Sequence, residues 1–170
     1  MADLIYDEST NSFIGYNYED DHYYRINPNG QEEIVSKKKF NRVSKTTWAP
    51  DSQSAIIEFP DGSNIFYDFQ SQQATTLPSH WQEFSFSPIG NKIAFESIGR
   101  DKQNRWLAIA NPDGTNVEGI ERIGGIEDRL NVQWSPNNQI SPSLDIGISG
   151  ISGMASSSVN PSIVAPSSNC

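Results

Sequence analysis

The feature that most constrains the fold of this 170-residue chain is an internal repeat of an aromatic residue, a small residue, a proline and a polar turn. In each copy a short predicted strand ending in the aromatic residue precedes the proline, which presets φ for a turn and donates no ladder hydrogen bond. Each copy therefore predicts a β-hairpin, with its aromatic residue packed in the core or between repeats. The aromatic positions are Trp48, Phe86 and Trp134, and the prolines are Pro50, Pro88 and Pro136.

A second turn signal, a proline followed by Asp-Gly or Asn-Gly, occurs at residues 27–30, 59–63 and 111–115. Glycine accepts the positive φ that such turns require. In the first and third units this signal follows an aromatic-rich strand, and in the middle unit it comes one strand earlier. About four strands per unit are predicted. The residues predicted to form these turns include Asp61, Gly62, Asp113 and Gly114.

The spacing of the repeat matches a propeller blade. Trp48 and Phe86 are 38 residues apart, Phe86 and Trp134 are 48 apart, and a degenerate earlier unit begins near Leu4. A four-stranded blade takes roughly 40–45 residues. The chain is thus predicted to be all-β, an incomplete β-propeller of about three four-stranded antiparallel blades plus the first hairpin of a fourth. The predicted blades are residues 4–40, 41–79 and 80–126, with the fourth starting in 127–140.

A β-sandwich with Pro and Gly turns is the alternative, because its strands have similar spacing. A sandwich does not need one aromatic-small-Pro motif three times, which favours the propeller.

Residues 86–95 and 134–138 resemble the W-S-P-D-G-x-x-I-A-F signature of TolB-like, WD40-like (PD40-type) propeller repeats, and residues 111–116 resemble their N-P-D-G-T hairpin. No copy keeps the full S-P-D-G, and the Trp-Asp and Gly-His pairs of true WD40 blades are absent, so the looser TolB-like class is preferred. The resemblance extends over residues 4–140. Similar TolB-like proteins are often periplasmic or extracellular, although no signal peptide is visible here.

The resemblance implies a non-catalytic propeller scaffold that binds a protein or peptide partner. The alternative is the propeller portion of a prolyl-oligopeptidase-like peptidase or hydrolase whose catalytic domain is not in this chain. A weaker third interpretation is a lyase or lactonase with a metal in its own propeller channel, and the presence of only two histidines counts against it.

The repeat pattern stops after Ile140. Residues 141–170 hold ten serines, no aromatic residue and Asp145 as the only charge, so too little apolar surface is present to offset the entropy of ordering. A flexible tail is predicted, either a natural extension or the end of an interrupted, frame-shifted reading frame. Because the strand that should complete the fourth hairpin is missing from the pattern, we favour interruption and a fragment of a longer propeller protein.

The formal net charge of −9 argues against nucleic-acid partners and anionic membranes. The basic run Lys37–Lys39 is predicted to be a solvated loop, and no apolar run reaches the roughly 18 residues of a membrane span. Three blades are too few to close a ring, so the exposed blade faces favour self-association.

No catalytic, cofactor-binding or metal site is predicted. The chain has no G-x-S-x-G, P-loop, G-x-G-x-x-G or H-E-x-x-H motif. His22 follows an acidic loop, His80 lies in a linker, and the single Cys170 cannot form an intrachain disulfide. Trp106 is predicted to make a cation–π contact with its neighbour Arg105.

Overall fold

The computed structural model describes residues 2–123, 130–135 and 140–144. Over these residues the chain forms β-strands and one short 3-10 helix, Lys102–Asn104. The strands are β1 Ala2–Asp7, β2 Ser12–Asn17, β3 His22–Ile26, β4 Glu32–Ile34, β5 Lys45–Trp48, β6 Ser54–Glu58, β7 Asn64–Asp68, β8 Gln73–Leu77, β9 Trp81–Phe86, β10 Ile93–Ile98, β11 Arg105–Ala110, β12 Glu118–Arg122, β13 Leu130–Trp134 and β14 Ile140–Leu144.

The strands form three four-stranded sheets in chain order, β1–β4 (sheet 1), β5–β8 (sheet 2) and β9–β12 (sheet 3), and a hairpin of β13 and β14. Every pairing is antiparallel. The first strands of neighbouring sheets lie close together, β1 to β5 and β5 to β9. The sheets therefore share an inner side and carry their last strands on the outside, without closing into a ring. The prediction of an all-β incomplete propeller with three four-stranded blades and a further hairpin is confirmed.

Two apolar clusters hold the sheets together, and β6 contributes to both. Residues 55–57 are buried without alternation, as expected of a strand covered on both faces. Ile57 joins the cluster against sheet 1, and Ile56 joins the cluster against sheet 3. The first cluster consists of Tyr16, Tyr23, Phe40, Val43, Ile57 and Tyr67, and the second of Ala49, Ile56, Leu77, Trp81, Phe84, Phe86, Ile93, Phe95, Ala108 and Ala110.

The Asp-Gly turns share one geometry but join different strands. Gly62 and Gly114 have φ of +82° and +83°. Asp61 Oδ1 accepts from the backbone N–H of Ser63 (2.9 Å), and Asp113 Oδ1 accepts from that of Thr115 (3.0 Å). The Gly62 turn joins the second and third strands of sheet 2, whereas the Gly114 turn joins the third and fourth strands of sheet 3. The irregular position of the middle turn in the repeat is thus a real difference between the sheets.

A β-bulge at Glu83 aligns the aromatic residues of β9. Trp81 and Phe84 are three positions apart and would face opposite sides of a regular strand. Glu83 has φ of +53°, and the register between β9 and β10 shifts there. As a result Trp81, Phe84 and Phe86 are all buried in the cluster against sheet 2.

The fourth hairpin corrects one expectation. The strand predicted to be missing is present: β14 pairs with β13 from Ile140 opposite Trp134 to Leu144 opposite Leu130. Strand pairing is made by backbone groups, so the loss of the side-chain pattern after Ile140 did not prevent it. Pro142 lies on an edge strand of the described part of the chain, which is where proline is found in sheets. Pro136 and the predicted tail beyond residue 144 lie outside the described residues.

The prediction that Arg105 is the cation–π partner of Trp106 is wrong. The guanidinium carbon of Arg122, not of Arg105, lies 4.8 Å from the ring centroid of Trp106. Trp106 and Arg122 are directly opposite each other on β11 and β12. Arg105 directly precedes Trp106 on β11, so its side chain points to the opposite face of the sheet from the Trp106 ring.

Candidate ligand-binding cleft between the first two sheets

A polar cleft of about 440 Å³ opens between sheets 1 and 2. Sheet 1 contributes the end of β1 and the turn after it, one residue each of β2 and β3, and β4 with the segment that follows it, whereas sheet 2 contributes the β5–β6 and β7–β8 turns. The lining combines hydroxyls, amides, two charges of each sign and one aromatic ring. It consists of Asp7, Ser9, Thr10, Ile14, Arg25, Glu33, Ile34, Val35, Lys37, Ser52, Gln53, Phe69, Gln70 and Gln72.

Asp7 is a buried carboxylate at the end of β1, only 4% exposed. Its Oδ1 accepts from the backbone N–H and hydroxyl of Ser9 (3.0 and 2.6 Å), and its Oδ2 accepts from the Thr10 hydroxyl (2.7 Å). Burial acts to raise the pKa of Asp7, but these hydrogen bonds and the nearby Arg25 outweigh it and lower the pKa below its ordinary value. Asp7 is therefore ionised at neutral pH and has its acceptors already engaged.

Arg25 in β3 faces Asp7 and retains an unused donor. Its Nη2 lies 3.7 Å from Asp7 Oδ2, and 29% of its side chain is exposed. Its Nε is buried and has no hydrogen-bond partner among the described residues. The exposed part of the guanidinium, held beside Asp7, can donate to a carbonyl or carboxylate that enters the cleft.

Gln72 ties the two walls of the cleft together. Its Nε2 donates to the carbonyl of Val35 (2.9 Å), and its Oε1 accepts from the backbone N–H of Lys37 (2.8 Å). The Tyr67 hydroxyl donates to the same Oε1 at 2.9 Å. Residue 72 has φ of +60°, and its side chain bridges from the β7–β8 turn to the segment after β4. The two walls of the cleft are therefore hydrogen-bonded to each other through Gln72.

An aromatic stack supports the sheet 2 wall. Phe69 lines the cleft and stacks on Trp48, with ring centroids 5.0 Å apart and planes inclined by 25°. Trp48 also meets Tyr23 of sheet 1 edge to face at 5.6 Å. The aromatic residue of the first repeat thus holds the cleft wall without lining the cleft.

The ten residues predicted from the repeat do not converge on one place. Trp48, Phe86 and Trp134 end the first strands of their sheets, and the prolines and Asp-Gly pairs that the structure describes lie in separate turns. His22 begins β3 with its Nδ1 3.8 Å from Asp20 Oδ2, and His80 is an exposed linker residue. Within residues 2–123, 130–135 and 140–144, no group of three or more His, Cys, Asp or Glu side chains could hold a metal ion. No helix in this part of the chain could span a membrane.

Sequence reasoning missed the cleft residues. The run of Asp7, Glu8, Ser9 and Thr10 is an Asx turn signal that could have indicated a turn with an engaged carboxylate, although it was not used. Arg25 and Gln72 carry no such signal, because each acts on the cleft only after the strands have paired.

No family model matches the chain, and no curated protein matches it. Solved structures do. A crystal structure of tricorn protease is 13% identical, covers 79% of this chain and 14% of that chain, and has a TM-score of 0.59. TolB from Acinetobacter baumannii is 14% identical, covers 80% of this chain and 39% of that chain, and has a TM-score of 0.50. The chain thus spans well under half the length of either protein.

A putative 6-phosphogluconolactonase from Bacteroides uniformis is 14% identical over 79% of this chain and 44% of that chain, with a TM-score of 0.46. At these identities the likeness to tricorn protease and TolB concerns the fold alone. The expected likeness to TolB-like propellers is confirmed at that level: the described sheets are blades of a β-propeller.

Proposed function

We propose that this chain is a non-catalytic propeller scaffold for protein or peptide partners, and that an extended peptide binds in the cleft between sheets 1 and 2. The observation that carries the proposal is the Arg25 guanidinium, which lines the cleft 3.7 Å from the Asp7 carboxylate and leaves 29% of its side chain exposed. A peptide carbonyl or carboxylate is an acceptor of the right kind for it.

The rest of the lining supports a peptide rather than a simple anion. Asp7 and Glu33 balance Arg25 and Lys37, so the cleft has no net charge to concentrate anions. Side-chain amides such as that of Gln70 both donate and accept, as a peptide backbone requires. A volume of about 440 Å³ is within the range of small-ligand sites and suits a short segment. The formal charge of −9 disfavours nucleic acid and anionic membranes as partners.

A phage-displayed library of random nonapeptides, selected on the purified chain, tests this proposal. Selected peptides should bind Arg25→Lys about tenfold more weakly, because lysine keeps the charge beside Asp7 but loses the planar fork of donors. Gln70→Ala should weaken binding as well, and Gln103→Ala, in the 3-10 helix away from the cleft, should not. Failure to enrich any peptide, or equal binding to all three variants, would refute the proposal.

Exposed aromatic and aliphatic side chains on sheet 1 support self-association as a further kind of interaction. Tyr6 and Phe13 lie opposite each other on β1 and β2 with ring centroids 5.2 Å apart, and they are 46% and 48% exposed. Leu4 and Ile34, each 53% exposed, are further apolar side chains on sheet 1. Sedimentation equilibrium should show association that Phe13→Lys weakens and Ile89→Lys, in the exposed β9–β10 turn, leaves unchanged. A monomer at all concentrations would rule this mode out.

The second candidate is the propeller portion of a peptidase or hydrolase whose catalytic residues lie outside this chain. It draws on the presence of tricorn protease among the structures that share the fold. It predicts a G-x-S-x-G motif with a later Asp and His in the adjoining coding sequence. Further blade repeats followed by a stop codon there would favour the scaffold instead.

A further inference from the structure

The outer edge of sheet 2 differs from the outer edges of its neighbours. An exposed edge strand is a template for pairing with another chain, and proteins usually protect it with charges, prolines, bulges or short length. β4 is only three residues long and carries Glu32 and Glu33. β12 carries Glu118, Glu121 and Arg122 and contains a register shift.

β8 has none of these protections. Its sequence, Gln73 to Leu77, holds no charge and no proline, its register against β7 is regular, and its first four residues are exposed. Thr75 and Thr76 are β-branched and suit an extended strand. Within the described residues β8 pairs only with β7.

Successive residues of a strand direct their backbone N–H and C=O groups to alternate sides, and this alternation identifies the backbone groups at the outer edge of β8 that do not bond to β7. The N–H of Phe69 donates to Gln53 O (2.9 Å), so the odd-numbered residues of β7 bond to β6. The even-numbered residues of β7 therefore bond to β8, where Phe66 is opposite Thr75. It follows that Ala74 and Thr76 direct their N–H and C=O groups outward, away from β7.

The two ends of β8 differ in charge. At its start, the backbone N–H of Lys37 donates to the Gln72 side chain, which brings the basic run Lys37–Lys39 beside the turn that leads into β8. After its end come Pro78, Ser79 and His80, with no acidic or permanently basic side chain. A docked strand with a carboxylate at the Gln72 end would therefore be favoured over its reverse.

We propose that β8 is a docking edge, separate from the cleft, which binds an extended peptide as an added antiparallel strand. The paired residues of this peptide are uncharged and β-branched, and an acidic residue follows them at its C-terminal end. Antiparallel pairing is the more stable kind per residue and is the kind made by every strand that the structure describes. An antiparallel strand places its C-terminus at Gln73, next to the lysines. A second copy of β8 fits less well than such a peptide, because an antiparallel pair would place the uncharged Leu77 end of one copy, and not an acidic residue, beside the lysines of the other.

The test uses the synthetic peptide acetyl-Thr-Val-Thr-Val-Thr-Asp-amide, fluorescently labelled and titrated with the whole chain in an anisotropy experiment. Ala74→Pro and Thr76→Pro should each weaken binding about fivefold or more, because each removes an outward donor and leaves the bonds to β7 intact. Ala74→Thr, which keeps the N–H, should bind as the unaltered chain does. Urea unfolding of each variant would show that the sheet is preserved.

The direction of the strand is tested with the peptide that carries its Asp at the N-terminus. It should bind more weakly than the first peptide, and Lys37→Ala should reduce the difference because it removes one of the three lysines at that end. Unchanged binding to both proline variants would overturn the proposal, as would a concentration-dependent dimer that Ala74→Pro abolishes, since the edge would then pair with a second copy. Arg25→Lys should not affect this probe, so the failure of the cleft and the failure of the edge are distinguishable.

Discussion

Trp81 stacks on Phe95 with ring centroids 3.8 Å apart and planes inclined by 21°. The pair joins β9 to β10 at the centre of the cluster between sheets 2 and 3, and Trp81 is only 5% exposed. The bulge at Glu83 puts Trp81 on the same side of β9 as Phe84. One local irregularity of the backbone thus determines the packing between two blades.

We expect Trp81→Ala to lower the free energy of unfolding by about 3–5 kcal/mol, because it removes a large buried ring and leaves a cavity. Urea denaturation followed by circular dichroism measures the loss. Trp81→Phe keeps a ring against Phe95 and should cost less. A loss below about 1 kcal/mol for the alanine variant would contradict the packing described here.

Gly114→Ala should destabilise the protein more than Gly62→Ala. Both glycines have nearly the same positive φ, so each alanine has a similar conformational cost of about 1–2 kcal/mol. An added Cβ at residue 114 would lie 3.0 Å from Cδ2 of the buried Leu77, whereas at residue 62 it meets no atom within 4 Å. Equal unfolding midpoints for the two variants would mean that Leu77 moves aside without cost.

Asp7→Asn should lower stability at neutral pH and lose its effect in acid. The pKa of Asp7 is lower in the folded chain than in the unfolded chain, so its charge stabilises the fold above the unfolded pKa. This contribution is lost as pH falls through the lowered, folded pKa. Urea titrations at pH 7 and at a pH below that value should therefore show a difference from the unaltered chain only at pH 7.

Asp101→Asn is the matched control for this pH dependence. Asp101 is exposed and its side chain makes no capping hydrogen bond to the 3-10 helix that follows. Its substitution should change stability little at either pH. A loss at pH 7 as large as that of Asp7→Asn would show that the effect is a general response to removing a negative charge.

Arg122→Ala should lower the free energy of unfolding by about 0.5–1 kcal/mol through loss of its cation–π contact with Trp106. A double-mutant cycle with Trp106→Leu isolates this coupling. Arg105→Ala should show no coupling to Trp106, because adjacent residues on β11 face opposite sides. If Trp106 were coupled energetically to Arg105 and not to Arg122, Arg122 would not be the cation–π partner of Trp106.

The blades could be predicted from sequence because their signals are local. Pro50 and Pro88 mark turns between the first two strands of their sheets, and Gly62 and Gly114 are at positions of positive φ. Such preferences act over a few residues and recur with each blade. The fourth hairpin was underestimated for the same reason, since β14 depends on its partner strand and not on its own pattern.

The cleft and the docking edge could not be predicted, because they depend on contacts between sheets. Arg25 meets Asp7 only after β1, β2 and β3 have paired, and Gln72 reaches Lys37 only when sheets 1 and 2 have packed. The partner of Trp106 likewise follows from the cross-strand register of β11 and β12.

The amino-acid sequence was sufficient to determine the strand content, the turns and the blade as the unit of the fold. It did so through the repeat of an aromatic residue, a small residue and a proline. The tertiary structure alone decided which side chains meet between blades and which strand edge stays unprotected. The physical reason is range: turn and strand preferences are properties of neighbouring residues, whereas a cleft is formed by distant residues that burial and register bring together.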